Sequence, residues 1–286
     1  MSATDVALVT GARWPEGDPH DAPLPAALLA AGLAHRVVVW DDPAVDWSAF
    51  GLALIRSTWD YHLRREPFLA WAGHAAARTR LWNPPDLLRW STHKAYLLDL
   101  ERAGVPVVPT VLRAAGVPLD LAALLAERGW ATAVVKPAVS LGGIGAMRVT
   151  AAEASAGQSH LDGPLAGRDA LIQPYLESVE GPGERDLVFL DGRYSHAVRR
   201  DSAFAPGYRP GQARALEPSA DERALAERAL AAIPAPHLYA RVDMARDAGG
   251  TPRIMELELV EPSLFLEQAP AAAGVLARAI ARLLEQ

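Results

Sequence analysis

Lys136 closes the apolar run Ala133-Val134-Val135 and precedes Pro137, a setting that holds its ammonium at a strand end, where it needs an anion. The stretch Ser140-Leu141-Gly142-Gly143-Ile144-Gly145 follows at once, and its glycines leave backbone amides open to close approach by a phosphate. Lysine and loop together read as a polyphosphate site. The loop is neither a Walker A motif, which needs Gly-Lys-Ser/Thr, nor a Rossmann fingerprint at a first βα turn. Taken alone it is also an ordinary turn. Late in the chain, Asp243 and the pair Glu256 and Glu258 stand inside apolar strands. Residues two apart on a strand share a face, so the two glutamates project together. Like charges in such a place are best tolerated around a hard divalent cation, and oxygen ligands of this kind suit Mg²⁺ bridging nucleotide phosphates. The plainer alternative is an exposed face with charges paired to Arg241 or Arg253.

These residues need elements to position them. A strand over Val6 to Gly11, a helix over Leu24 to Ala31 and a strand over Arg36 to Trp40 give a βαβ opening. A third strand, Leu52 to Arg56, runs into Ser57-Thr58-Trp59-Asp60-Tyr61, and a polar, aromatic loop beyond the carboxyl end of a parallel strand is well placed for a substrate. A helix over Pro67 to Ala77 follows, and the Pro-Pro break in Leu81 to Pro85 ends the first domain. Ser91 to Ala103 reads as one helix closed by Gly104. Strands at Val107 to Leu112 and Thr132 to Lys136, with a helix at Leu119 to Glu127, make a small α/β lobe carrying the glycine loop. After a strand at Ala170 to Gln173, Asp186 to Leu190 pairs with Tyr194 to Arg199 through Asp191-Gly192, a type I′ hairpin signal. Phe204 to Leu216, rich in Gly, Pro and Arg, reads as a mobile loop over a site. Helix Asp221 to Ile233, strands Leu238 to Met244 and Arg253 to Leu259, and helix Ala271 to Leu284 complete the chain. The expected division is an N-terminal βαβ domain 1–85, a central lobe 86–170 and a C-terminal lobe 171–286.

Composition bounds the function. With 286 residues, 50% hydrophobic and 22% charged, the chain buries a core. A formal net charge of -6 provides no basic field for nucleic acid or anionic lipid, so a small-molecule partner is expected. The absence of cysteine excludes a disulfide, a thiolate nucleophile and a cysteine-bound metal, and the eight histidines lack metal spacing. Met-Ser-Ala-Thr-Asp is not a signal start and no apolar run approaches the ~20 residues that span a bilayer, so the expected compartment is the cytoplasm, with no membrane partner.

In their order along the chain, Lys94, Val135-Lys136-Pro137 before Ser-x-Gly-Gly-x-Gly, Gln173-Pro174-Tyr175-Leu176-Glu177, Arg241-x-Asp243 and Glu256-x-Glu258 resemble the ATP-grasp enzymes over roughly residues 90 to 270. The resemblance implies an α/β and α+β fold in which two α+β lobes behind the βαβ domain clasp ATP. It implies that Lys94 and Lys136 hold the α- and β-phosphates, that Ser140, Gly142, Gly143 and Gly145 form a lid over the γ-phosphate, and that Gln173 to Leu176 take adenine through backbone groups. Glu177 or Glu184 would hold the ribose, and Asp243, Glu256 and Glu258 Mg²⁺. The third metal ligand is usually Asn, so Glu258 departs from the pattern: either it strengthens the site or only one glutamate ligates. An arginine on the transferring phosphoryl group would be Arg199 or Arg200, with Arg185 and Arg241 as further cations; the pair also reads as a solvated strand edge.

Arg56 to His62 and Glu258 to Phe265 are similar to a narrower group, the D-cycloserine synthetases. That similarity implies a substrate close to O-ureido-D-serine, with Arg56, Ser57, Trp59, Asp60, Tyr61 and Glu261 as candidate substrate residues. Trp59 and Phe265 also read as core, and Asp60 as a helix cap. The expected activity is an ADP-forming, Mg²⁺-dependent ligase that phosphorylates an acid or ureido oxygen of an amino acid derivative, for attack by an amine to make a C–N or ring N–O bond. The alternatives are a general carboxylate-amine, peptide-forming ligase and a non-catalytic ATP-binding regulatory domain. Dimerisation is expected from the family alone.

Overall fold

The computed structural model describes residues 4–205 and 212–286. The chain opens with β1 (Thr4–Thr10), α1 (Pro23–Ala30), β2 (His35–Val39), β3 (Phe50–Ser57), α2 (Arg65–Ala76) and β4 (Arg80–Trp82). The four strands form one parallel sheet in the order β2-β1-β3-β4. Parallel sheets are covered on both faces, which is why Val6 to Val9 and Leu52 to Ile55 are continuous apolar runs and fully or almost fully buried. Phe68, Trp71 and Ala75 of α2 cover one face together with Trp40 and Trp47, and α1 covers the other. The Pro-Pro break lies just past β4 and starts α3 (Pro85–Ser91), Pro being suited to a helix's first turn.

The helix expected over Ser91 to Ala103 is shorter: α3 ends at Ser91, residues 92–95 are turn, and α4 runs Tyr96–Arg102. In the break between them the Lys94 amide donates to the Ala138 carbonyl at 2.8 Å, which turns Lys94 toward the centre of the molecule. Beside this junction, fully buried Asn83 donates from Nδ2 to the carbonyls of Tyr239 (3.0 Å) and Leu259 (2.7 Å) and accepts from the Leu238 amide (2.8 Å). Those three bonds tie the first domain to the last sheet. Asn83→Ala strands two carbonyls and one amide away from water, so a loss of about 2–4 kcal/mol is expected in the denaturant midpoint at unchanged m-value. A loss below about 1 kcal/mol would mean that the clamp is not what joins the lobes.

The central lobe contains β5 (Val111–Arg113), α5 (Leu121–Arg128), β6 (Thr132–Pro137), β7 (Met147–Thr150), α6 (Ala154–Asp162) and β8 (Ala170–Pro174), with an antiparallel sheet in the order β5-β8-β6-β7. The expected strand at Val107 to Leu112 is shorter, because Val107 bridges instead to Ile254 and ties the lobe to its neighbour. β8 bonds along its length to β6, so a boundary at 170/171 cuts this sheet, and we place the division after Pro174.

The last lobe comprises β9 (Glu184–Leu190), β10 (Arg193–Arg200), β11 (Ala213–Leu216), α7 (Ala220–Ala231), β12 (Tyr239–Arg246), β13 (Pro252–Glu258) and α8 (Pro270–Leu284), its antiparallel sheet ordered β11-β10-β9-β12-β13. The hairpin turn has Asp191 at φ 53° and Gly192 at φ 69°, the left-handed pair that a type I′ turn requires. Of the expected loop Phe204 to Leu216, residues 206–211 lie outside the described residues and 213–216 are β11, paired to β10. α8 bridges two lobes: Leu276 and Ile280 join Leu24, Leu28, Leu52 and Leu54 on the α1 face of the first sheet and Val188, Leu190 and Val198 of the last sheet in one cluster. No helix among the described residues is long and apolar enough to cross a membrane.

Candidate active site

The chemistry gathers on one face of the last sheet. Asp243 on β12 stands opposite Asp186 of β9 and Glu256 of β13; Arg241 stands opposite Glu258, and Arg200 of β10 opposite Glu184. Period-two alternation brings all seven side chains to the same side. Arg200 donates to Glu184 (3.0 Å), Asp243 (3.2 Å) and Asp186. Arg241 grips Asp243 with two bonds (2.8 and 2.9 Å) and reaches Glu258 at 2.5 Å. From the facing lobes, Lys94 pairs with Glu256 at 2.9 Å and donates to the Ser140 carbonyl at 2.5 Å, fastening the glycine loop to the acidic face. Lys136 has no ion pair among the described residues; burial holds its ammonium below the usual lysine value, with Glu256 opposing and Lys94 adding to the fall. Arg199, one residue from Arg200, points the other way. It donates to the carbonyls of Pro182 (2.8 Å) and Gly181 (2.9 Å) and pairs with Asp201, outside the cleft. Fully buried Asp186 escaped the sequence reading, although its spacing from Glu184 repeats that of Glu256 and Glu258.

Crowding of carboxylates sets their protonation. Burial lifts Glu184 to about 7 and Glu258 to about 8, each also pushed up by neighbouring acids and held down in part by an arginine. Burial raises Asp243 as well, and lifts Glu261 well above the carboxylate range with Glu258 contributing. Glu256 moves down instead, because the ammonium groups of Lys94 and Lys136 outweigh its burial. Among the described residues no three His, Asp or Glu side chains converge closely enough to hold one ion. Each expected ligand is paired with a cation: Asp243 and Glu258 with Arg241, Glu256 with Lys94. The donor set still fits Mg²⁺ in kind, being hard oxygen donors on adjacent strands whose crowding a divalent cation relieves. Above about pH 5 the unfolded chain ionises these glutamates, whereas the folded protein keeps protons on Glu184 to about 7 and on Glu258 to about 8. At these two groups the folded state binds more protons, so their contribution to stability falls as pH rises through that window, while His62, His93, His196 and His237, lowered by burial, work the other way. The expected result is read as a difference: between about pH 5 and 8 the Tm of metal-free Glu258→Gln gains on that of wild type; a constant difference would contradict the assignment.

Over this face lies a cleft lined by Lys94, Lys136, Ser140, Gly142, Gly143, Gln173 to Leu176, Glu184, Arg200, Asp243, Glu256 and Glu258. Gly142, Gly143 and Gly145 have φ of 56°, 75° and 76°, values that a side chain would strain. Gly145 is not in the lining; it stacks against Pro137, where an added Cβ would come within 3.0 Å of the ring. Val108, Val134 and Met255 supply apolar walls beside the Gln173 to Leu176 segment, a place suited to a flat base and not foreseen from sequence. The Gln173 side chain is occupied with Thr110 (2.8 Å) and the Tyr175 amide with the Thr132 carbonyl (2.9 Å). Glu177 is exposed and outside the lining, which leaves Glu184 of the two ribose candidates.

A second cavity of about 570 Å³ adjoins the cleft and shares Lys94, Ser140, Gly142, Arg200, Glu256 and Glu258 with it. Of the candidate substrate residues, Trp59, Tyr61 and Glu261 line it. Arg56, Ser57 and Asp60 do not. Arg56 and Ser57 still belong to β3: Arg56 is locked on Asp21 (2.9 and 3.1 Å), and Ser57 shares a hydrogen bond with Thr10 at 2.8 Å. Asp60 accepts from Trp40 (3.0 Å) and Arg64 (2.5 Å) and caps no helix through its side chain. These three shape the loop without facing the cavity. Phe265 also lines it, and Arg13, Trp14, Asp18 and His20 roof it from the segment after β1, with Trp14 edge-on to Trp59 at 5.7 Å. The roof escaped the sequence reading, although it follows the carboxyl end of a parallel strand as the Ser57 to Tyr61 loop does.

Comparison with known proteins agrees with this architecture. Residues 6–83 match the family of the N-terminal domain of D-cycloserine synthetase DcsG. The cycloserine biosynthesis protein DcsG of Streptomyces lavendulae is 37% identical over 98% of this chain and 99% of its own. The crystal structure of D-cycloserine synthetase DcsG superposes with a TM-score of 0.88 at 37% identity, over 97% of this chain and 99% of that one. D-alanine--D-alanine ligase from Bacillus anthracis (TM-score 0.70, 17% identity, 99% of this chain and 97% of that one) and ATP-grasp ligase PsnB complexed with precursor peptide PsnA2 and AMPPNP (0.66, 18%, 99% and 98%) share the fold alone.

Proposed function

Because the chain belongs to the D-cycloserine synthetase family of ATP-grasp ligases, we propose that this ATP-dependent ligase activates the carboxylate of O-ureido-D-serine and closes it to the ring of D-cycloserine. The observation that supports this reading best is the 570 Å³ cavity, in the size range of a small-molecule site, roofed by residues 13–20 and joined to the phosphate-handling cleft at Lys94 and Arg200. An O-ureido group already carries its N–O bond, so ring closure needs only a C–N bond, and the carboxylate is the group to activate.

Lys94, Lys136 and the amides of the glycine loop would fix the phosphates of ATP, with the base between Val108, Val134 and Met255. Mg²⁺ on Glu256 and Asp243, with or without Glu258, would screen the phosphate charge when bound. Arg200 holds a guanidinium where the two cavities meet, to stabilise the charge spread over the transferring phosphoryl group. A carboxylate oxygen of the substrate attacks the γ-phosphorus and ADP leaves. The ureido N–H nitrogen then attacks the acyl carbon, phosphate departs with the C–O electron pair, and the nitrogen's proton passes to solvent. The ring so formed keeps the carbamoyl group, which one water removes. No side-chain nucleophile is needed, because positioning and charge stabilisation carry the rate.

The test is ADP release with Mg²⁺ and ATP across both enantiomers of O-ureidoserine, the common amino acids and pairs of amino acids. Turnover with O-ureido-D-serine that yields cycloserine supports the reading. ADP release only with pairs, with a dipeptide as product, would move the assignment to a general carboxylate-amine ligase.

A further inference from the structure

Glu261 lines the substrate cavity with 7% of its surface exposed, yet among the described residues its carboxylate has neither a hydrogen bond nor an ion pair. The nearby cations are committed elsewhere, Lys94 to Glu256 and Arg241 to Asp243 and Glu258. The acids beside it, Glu258 and Glu256, make its position less favourable still. A buried carboxylate left without a partner is costly, and a fold keeps one where a ligand completes it.

The backbone around it is held so that the carboxylate cannot turn away. Three consecutive carbonyls each face a side-chain donor: Val260 the Tyr239 hydroxyl at 2.8 Å, Glu261 the Trp59 indole N–H at 3.3 Å, and Pro262 the Arg56 guanidinium at 2.9 Å. Arg56 is itself fixed by Asp21, and the Trp59 ring meets Trp14 edge-on. This gives Arg56, which faces no substrate, a role as the residue that positions the Glu261 segment.

We propose that Glu261 is the counter-ion for the α-ammonium of the substrate, so that the cavity selects zwitterionic amino acids and rejects the same acids without the amine. The inference rests on the small-substrate ligase reading above. The substrate carboxylate then lies toward Lys94 and Arg200 at the cleft, the ammonium on Glu261, and the neutral tail along Trp14 and Trp59. An ammonium suits the place better than a neutral N–H donor because only a positive charge offsets the burial that otherwise keeps Glu261 protonated, giving a matched pair of opposite charges.

The experiment crosses Glu261→Gln and wild type with two substrates, O-ureidoserine and its des-amino analogue 3-(ureidooxy)propionate, reading ADP release and KM. Deleting the amine is expected to cost wild type about 100-fold in kcat/KM, and Glu261→Gln to cost about as much on O-ureidoserine but to add no penalty of that size on the analogue. Equal penalties on both substrates would overturn the proposal and give Glu261 a role toward the ureido group or the fold. The wild-type arm stands even if Glu261→Gln fails to fold: if wild type uses the des-amino analogue as well as O-ureidoserine, the proposal falls. If O-ureidoserine is not a substrate, the small-substrate assignment fails separately, and the same cross is run with whichever amino acid stimulates ADP release and its des-amino form.

Discussion

Arg200→Ala is expected to lower kcat by about 10³-fold or more while ATP still binds. Arg200 and Lys94 are the basic side chains shared by the cleft and the 570 Å³ cavity, so under the proposed function they stand where a phosphoryl group would cross. Lys94 is spent on Glu256 and on the Ser140 carbonyl, whereas the planar fork of Arg200 has five donors and lies along the rim of Glu184, Asp186 and Asp243. Removing it also leaves those three acids without their shared cation, so the variant should be less stable as well as slow. Arg200→Lys separates the two effects: it keeps the charge and most of the stability but loses the fork, and kcat should remain at least about 10-fold down. Arg199→Ala, on the opposite face of β10, should stay within about 3-fold of wild type in kcat. Pre-steady-state ADP release on folded protein reads all three. A kcat for Arg200→Ala within 10-fold of wild type would remove Arg200 from the transfer step.

The second large effect distinguishes the two glutamates of β13. Glu256→Gln should cost at least about 100-fold in kcat and raise the Mg²⁺ concentration needed for half-maximal rate. Glu256 is held ionised by Lys94 and Lys136 and stands directly across from Asp243. Glu258 differs by one turn of the alternation. Burial and the acids around it push it up to about 8, and Arg241 already occupies one of its oxygens. Glu258→Gln should therefore cost about 10-fold or less and shift the Mg²⁺ requirement little. If instead Glu258→Gln is as damaging as Glu256→Gln in a Mg²⁺ titration, both glutamates are ligands and the extra negative charge strengthens the metal site.

Several of these assignments are legible in the sequence alone. Spacing two apart put Glu256 with Glu258 on one face, and the run of apolar residues before Lys136 marked a strand end. Asp191-Gly192 marked a hairpin, and the structure carries each of these features. Arg199 and Arg200 were not separable, because alternation says that neighbours oppose each other but not which one faces the cleft; the pairing of β10 with β9 decides that. The resemblance marks Arg56 and Asp60 as candidate substrate groups, yet each has a partner within the first domain, Asp21 and Trp40, that no local pattern announces. The type of Lys94 is legible in the sequence, whereas the helix break that aims it is set by a long-range bond to Ala138. The sequence marks a terminal helix over Ala271 to Leu284; that α8 helps to cover the first sheet is a property of the packed molecule. The roof from Arg13 to His20 is irregular, so periodicity could not flag it.

In the proposed reaction a substrate carboxylate is phosphorylated, and the ureido nitrogen then displaces phosphate from the acyl carbon. The direct measurement is a single turnover with O-ureido-D-serine carrying ¹⁸O in both carboxylate oxygens, followed by mass analysis of the released phosphate. One ¹⁸O atom is expected in each inorganic phosphate, with ADP unlabelled. Unlabelled phosphate formed together with cycloserine would contradict it, because the carboxylate oxygen would then never have been bonded to phosphorus.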